Sequence, residues 1–442
     1  MMELKGKRVM VVGLGVSGRA AARFLSARGV SLLLTDKKTD LELSDLPAGE
    51  VHLGFESAAW LKGVDLVVTS PGIPRDSILL REAVARDIQV IGELELASHF
   101  MKAPIVGITG TNGKSTVTTM VGDIMKAAGK RVFVGGNLGT PLIEAADNDV
   151  DALVIEISSF QLEWIDKFRA HVGIHLNLSD DHFERYRDLE DYGRAKARLF
   201  ENQGAGDFAI LNRDDPNVWK LHLAMRSRVI SFGLGTAPAG GDAMWPDTNV
   251  LFFDINGRRG RLDLSQLKIA GRHNLANAMA SAAAALAMDI EPRMIEQGLA
   301  SFKPLSHRIE MVHEAHGIKF VDDSKGTNVG AVIEALAAVP APVILIAGGV
   351  DKGGDYAPLR KPLEEKVKLA IFIGAARDKM RAALDGSTRI EVVEKMAGAV
   401  KRAAEVAVTG DTVLLSPACS SFDQFRDYAE RGNLFKELVR AL

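Results

Sequence analysis

Cysteine is almost missing from this chain. Cys419 is the only one in 442 residues, so an intrachain disulfide is impossible and a cysteine metal cluster is excluded. That fits a reducing compartment. Long apolar runs are missing as well: no stretch approaches the ~18 residues of a membrane-spanning helix. The charged lead Met1–Lys7 runs straight into an apolar strand and lacks the core of a secretion signal. A net charge of −3 gives no electrostatic case for binding nucleic acid or an anionic membrane. Low-complexity tails and short fixed repeats are absent. The expectation is a cytoplasmic protein that does not enter a membrane.

What is present is ordinary globular material, 47% apolar and 25% charged. The length suggests about three domains. Short apolar runs alternate with amphipathic segments, which predicts α/β layering with mostly parallel sheets. Three series separate. The first is Arg8–Val12, Ser31–Thr35, Asp65–Thr69 and Gln89–Ile91. The second is Ile105–Thr109, Ala152–Ile157, Val172–Leu176, Phe208–Leu211 and Val229–Phe232. The third is Lys319–Val321, Val343–Ile346, Ala370–Ile373 and Thr412–Leu415. Junctions near Ala97–Pro104 and Phe302–Ser306 give domains 1–97, 98–303 and 304–442. Thr236–Pro246 reads as a surface loop.

The strongest motif is a strand, Ile105–Thr109, the turn Gly110-Thr111-Asn112-Gly113-Lys114-Ser115-Thr116, and a helix from Val117 to Ala128. Glycines let several N–H groups face one oxyanion, and the helix N-terminus adds its positive end. Lys114 would lie across the β- and γ-phosphates of ATP, with a hydroxyl of Ser115 or Thr116 reaching Mg²⁺. One departure from the general pattern is Ile108, where a glycine is usual.

A second glycine loop, Gly13-Leu14-Gly15-Val16-Ser17-Gly18, follows the first strand and opens the helix Arg19–Ala27, and Asp36 ends the second strand. Alone, this predicts a dinucleotide cofactor. A separate ATP loop favours another nucleotide here. Ser70-Pro71-Gly72 is either part of that site or a plain turn.

In the helix Leu189–Gln203, residues Leu189, Tyr192, Lys196 and Leu199 share one apolar face. A lysine on an inward stripe tends toward its neutral amine. Either it snorkels to solvent, or the amine takes up CO₂ as a carbamate. Asn274 and Asn277, three apart on a helix, either meet an adenine or cap the helix. Cys419 reads as a small packed residue, not a nucleophile.

The stretch Thr109–Thr116 resembles the ATP loop of the Mur ligase and folylpolyglutamate synthase superfamily. Glu156-Ile157-Ser158-Ser159-Phe160-Gln161-Leu162, Asp181–Tyr186, Asp322–Asn328, Gly348–Gly353, and Ser416–Phe425 with Arg431-Gly432-Asn433 resemble Mur ligase motifs in order. The closest resemblance is to the branch that adds D-glutamate to UDP-N-acetylmuramoyl-L-alanine. It implies a Rossmann-like N-terminal domain, a central P-loop ATPase-type α/β domain and a Rossmann-like C-terminal domain. It implies ATP, with Mg²⁺ or Mn²⁺ held by Ser115, Glu156, His182 and a carbamylated Lys196. Lys114, His182 and Lys196 are then the catalytic set. Asn274, Asn277, Arg308, Asp323 and Lys325 join the turn around ATP. The UDP substrate falls to Gly15, Val16, Ser17, Asp36, Lys37, Ser70, Gly72, Asn137, Ser158 and His182, and D-glutamate to Thr327, Lys352, Ser421, Phe422 and Tyr428. Val350 departs from the branch pattern, which has aspartate after the paired glycines. Another Mur ligase, a folylpolyglutamate synthase and a nicotinamide oxidoreductase are the rival readings.

Overall fold

Each apolar series becomes one sheet. The computed structural model describes residues 2–267 and 271–442, so Met1 at the head of the charged lead lies outside the described residues. The first sheet contains β1 (Arg8–Val12), β2 (Ser31–Asp36), β3 (Glu50–Leu53), β4 (Leu66–Thr69) and β5 (Gln89–Gly92), all parallel in the order β3-β2-β1-β4-β5. Strand order reverses between β1 and β4. The carboxyl ends of strands at such a switch point open a crevice suited to ligands. Of these strands β3 escapes sequence reading, because its Glu50-Val51-His52-Leu53 lies on the sheet edge and buries no apolar run.

The second sheet contains β6 (Ile105–Thr109), β7 (Val132–Gly136), β8 (Ala152–Glu156), β9 (Val172–His175), β10 (Phe208–Asn212), β11 (Arg228–Phe232), β12 (Asp242–Asp247), β13 (Val250–Ile255) and β14 (Arg258–Asp263). Their order is β14-β13-β12-β11-β10-β9-β6-β8-β7. Here the expected surface loop Thr236–Pro246 is corrected: its end forms β12, with Ala243 and Met244 buried. Pairing to β11 and β13 makes the strand, not local pattern. Pro246 is tolerated because the pairing with β11 stops at Met244, so no neighbour there needs its missing N–H.

The third sheet contains β15 (Glu310–Ala315), β16 (Ile318–Asp322), β17 (Val343–Gly348), β18 (Val367–Ile373), β19 (Ile390–Val392) and β20 (Thr412–Leu415), ordered β15-β16-β20-β17-β18-β19. Only β15 runs antiparallel to its neighbour. Helices cover both faces, and two apolar clusters result, one around Val332, Leu345, Leu363 and Phe372, the other around Ile344, Ile371, Val413 and Phe435.

Contacts divide the chain into two units. One holds Met1–Asn177, Tyr192–Leu267 and Ala276–Phe302, with the first two sheets. The other holds Leu178–Asp191, Lys268–Leu275 and Lys303–Leu442, with the third. Among the described residues no helix is long and apolar enough to cross a membrane.

Several helix bounds differ from expectation. The first helix spans Val16–Ser26, so Val16 and Ser17, expected in the loop, form its first turn. The helix after the turn Gly110–Gly113 begins at Lys114, three residues early, because left-handed Gly113 (φ 85°) already turns the chain into it. The expected helix Leu189–Gln203 stops at Ala197 and continues as a 3₁₀ turn, Arg198–Phe200.

Close packing at the first loop gives a stability test. A Cβ on Gly18 would collide with the Gly13 carbonyl and approach Ser70 Oγ at 2.8 Å. Gly18→Ala should lower the unfolding free energy by about 1–3 kcal/mol in a urea titration, the usual cost of overpacking. An unchanged midpoint and slope would show that the loop has room.

Candidate active site

The phosphate loop takes its shape from backbone that only glycine accommodates. Gly110 has φ 149° and Gly113 has φ 85°. A Cβ would meet Leu176 Cβ at 3.0 Å from Gly110, and Asn277 Oδ1 at 2.5 Å from Gly113. Asn177 then latches the turn: its carbonyl accepts from Thr111 N (3.0 Å), its Oδ1 from Asn112 N (2.8 Å), and its Nδ2 donates to Asn112 O (3.1 Å). Sequence reasoning gave Asn177 no role, although it stands just past β9 beside the motif that holds His182.

Charged groups gather on this loop. Lys114 Nζ donates to the carbonyls of Gly110 (2.9 Å) and Thr111 (2.8 Å). Lys196 Nζ donates to the same Gly110 carbonyl at 2.7 Å and lies 4.5 Å from the Tyr192 ring centroid. Tyr192, Lys196 and Leu199 are each 1% exposed. The inward stripe is therefore real, and Lys196 does not snorkel. Glu156 closes β8 with 3% exposure, accepting from Ser115 Oγ at 2.6 Å and from Asn137 Nδ2 at 2.7 Å. A buried carboxylate beside a serine hydroxyl suits a hard divalent cation. Lys196 as an ammonium can only donate here; as a carbamate it would add oxygens to that set. Thr116 is buried in the first helical turn, and Asn277 is 7% exposed on the helix Arg272–Ala287, which also carries half-buried Asn274.

At the first sheet, Gly15 caps the helix and Val16 is 68% exposed at its mouth. Asp36 is spent on backbone: Oδ2 accepts from Leu14 N (2.7 Å) and Oδ1 from Lys38 N (2.9 Å). Ser70 Oγ donates to Gly13 O at 2.6 Å, so its hydroxyl fastens the loop from below. Gly72 is exposed, and Lys37 pairs with Glu56 at 3.5 Å. Ser158 forms a capping box with Gln161 on the helix Ser159–Leu162.

In the other unit, Asp181 is a hub that sequence reasoning missed. It accepts from Lys352 Nζ (3.1 Å) and Asn328 Nδ2 (3.2 Å), while Lys352 also donates to Thr327 Oγ1 at 3.2 Å. His182 has left-handed backbone (φ 59°), with Nδ1 3.0 Å from Glu184 and Nε2 3.7 Å from Asp181. Arg308 Nε is buried without a partner. Burial lifts Asp323 to about 7, opposed by a hydrogen bond from Ser416 Oγ at 2.7 Å. Lys325 Nζ sits 5.0 Å from the Tyr428 ring centroid. Ser421 is buried, and Phe422 is 73% exposed.

Arg431 also went unassigned. It is 1% exposed and donates to Ser324 O (2.8 Å), Ser324 Oγ (3.0 Å), Cys419 O (3.2 Å) and Gly348 O (3.4 Å). These partners lie on the three loops that carry Lys325 and Thr327, Lys352, and Ser421. Desolvation pulls the guanidinium down to about 10.

Comparison with known proteins gives matches along most of the chain. The Mur ligase MurD-like N-terminal domain matches residues 7–92, the Mur ligase middle domain 108–285, and the Mur ligase glutamate ligase domain 307–419. The chain is 44% identical to the UDP-N-acetylmuramoylalanine--D-glutamate ligase of Geotalea daltonii, over 100% of this chain and 99% of that protein. It is 45% identical to the enzyme of that name from Syntrophotalea carbinolica, with the same coverage. Among solved structures, a pseudomurein peptide ligase type C from Methanothermus fervidus aligns with TM-score 0.62 at 20% identity, covering 99% of this chain and 100% of that one. The UDP-N-acetylmuramate-alanine ligase MurC from Thermotoga maritima gives 0.61 at 18%, covering 98% and 99%. At those identities the structures speak for the fold alone.

Cys419 is fully buried, 3.2 Å from Tyr356 Oη, and burial pushes its thiol up to about 11. At pH 8 the native protein should show no thiol reactive toward a disulfide reagent within minutes, and one after denaturation. Rapid native labelling would contradict this packing.

Proposed function

This chain belongs to the Mur ligase family, and on that premise we propose that it joins D-glutamate to UDP-N-acetylmuramoyl-L-alanine at the expense of ATP, a step of peptidoglycan precursor synthesis. The observation that carries this reading is identity of 44% along the whole chain with a ligase of that name. We place the domain bounds at 1–97, 98–303 and 304–442, and the protein in the cytoplasm as a monomer.

The residues take these roles. The N–H groups of Gly110–Thr116 and the ammonium of Lys114 receive the β- and γ-phosphates, which requires Lys114 to leave the loop carbonyls it now caps. Asn274 and Asn277 meet the adenine, and Arg308, Asp323 and Lys325 the ribose and transferring phosphoryl group. The glycine loop at Gly15–Ser17, with Asp36, Lys37, Ser70, Gly72, Asn137, Ser158 and His182, receives the UDP-sugar. Asp36 and Ser70 act largely by fixing loop backbone. Thr327, Lys352, Ser421, Phe422 and Tyr428 surround D-glutamate.

Ser115, Glu156, His182 and carbamylated Lys196 would hold Mg²⁺, which offsets negative charge as phosphate is transferred. The L-alanyl carboxylate attacks the γ-phosphorus and ADP leaves. The D-glutamate amine then attacks the acyl phosphate carbonyl, and the tetrahedral adduct expels phosphate. CO₂ adds to the neutral amine of Lys196, which is buried and shares the Gly110 carbonyl with Lys114.

Phosphate release should demand ATP, UDP-N-acetylmuramoyl-L-alanine and D-glutamate together. Equal release with L-glutamate or with L-lysine would refute the assignment. Lys114→Ala should lower kcat by roughly a hundredfold or more, the scale for removing one donor that stabilises developing charge. Lys196→Ala should lose activity that acetate or formate partly restores, and failure of every small carboxylate to restore it would count against the carbamate.

A further inference from the structure

Beneath the phosphate loop lie buried polar groups that these roles leave unused. Strands β6 and β9 run side by side with Gly107 opposite Gly173 and Thr109 opposite His175. The two glycines show which way this face looks. A Cβ on Gly107 would meet Leu199 Cδ1 at 2.9 Å, and one on Gly173 would meet Phe200 Cε1 at 2.7 Å and Gln203 Nε2 at 3.2 Å. Two residues further along, Thr109 and His175 point the same way, toward the segment that follows from Lys196. Lys196 itself reaches down to the Gly110 carbonyl, next to Thr109.

Thr109 and His175 have no exposed surface, yet Thr109 Oγ1 and both ring nitrogens of His175 lack a hydrogen-bond partner. Buried polar atoms are nearly always paired, so three orphans side by side call for an explanation. A floor that only supported the loop would be apolar. Burial, the largest cause, holds the imidazole well below its ordinary value. His175 is therefore neutral, with one N–H to donate and one nitrogen to accept.

We infer that His175 and Thr109 form the receptor for the carbamate on Lys196, donating to its oxygens and fixing its plane. This rests on the carbamate reading above. In forming it, the neutral amine nitrogen bonds to the carbon of CO₂, one C=O electron pair moves onto oxygen, and one proton leaves to solvent. The nitrogen keeps one N–H, which continues to donate to Gly110. Two new acceptor oxygens appear beside an imidazole and a hydroxyl that need acceptors. His175 and Thr109 are positioning residues: they act through Lys196.

The test is carbamate occupancy, read without turnover. Protein equilibrated with ¹³C-bicarbonate should show a carbamate resonance that Lys196→Ala abolishes. His175→Leu should raise the bicarbonate needed for half occupancy about tenfold, the scale of one lost hydrogen bond to a charged group. His175→Gln, which keeps a donor, should restore much of it. An unchanged titration in His175→Leu overturns this inference while the carbamate stands. Absence of the resonance from the parent protein overturns the carbamate reading, and the receptor with it. If His175→Leu melts far below the parent, Thr109→Val, a near-isosteric loss of one hydroxyl, replaces it, and an unshifted titration there is equally decisive.

Discussion

Two lysine side chains end on one carbonyl oxygen. Gly110 accepts from Lys114 and Lys196, and much of the first unit follows from the need to make that arrangement tolerable. The carbonyl is available because Gly110 adopts a backbone conformation barred to other residues, held by Asn177 from behind. Like charges so close disfavour each other, more so without water between them. Anions relieve that repulsion, and a triphosphate on one side with a carboxylate-bearing lysine on the other would supply them.

Much of this was legible in the sequence, for particular reasons. The phosphate loop announces itself because glycine, lysine and hydroxyl spacing is dictated by backbone geometry. Lys196 was legible because a cation interrupts an apolar stripe, and burial confirms the stripe at Tyr192, Lys196 and Leu199. Strands β3, β7, β12, β13, β14, β15 and β19 were not legible, since their own residues are mixed, glycine-ended or broken by Pro246 and none buries a continuous apolar run. Asp181 and Arg431 were hidden for a related reason. Their partners lie far along the chain, and no local pattern distinguishes a hub from a solvated charge. His175 reads as one polar residue in an apolar strand, and only the orphaned nitrogens make it conspicuous.

The first glycine loop teaches a different lesson. Its sequence fits a dinucleotide fold, and the structure shows why that fit is not decisive. Asp36 and Ser70, which a cofactor reading would turn toward ligand, are engaged with the backbone of Leu14 and Gly13. The shared feature is the loop's shape and the helix end behind it, which suit any diphosphate.

Arg431 carries one more implication. A guanidinium sealed from water and bound to carbonyls of separate loops, with no carboxylate among its hydrogen-bond partners, has no cheap alternative position. The loops bearing Lys325, Lys352 and Ser421 are thereby made one mechanical body. A change that shifts any of them is transmitted to the others, so under the proposed assignment the preference for an incoming amino acid would belong to the assembly and resist adjustment one side chain at a time.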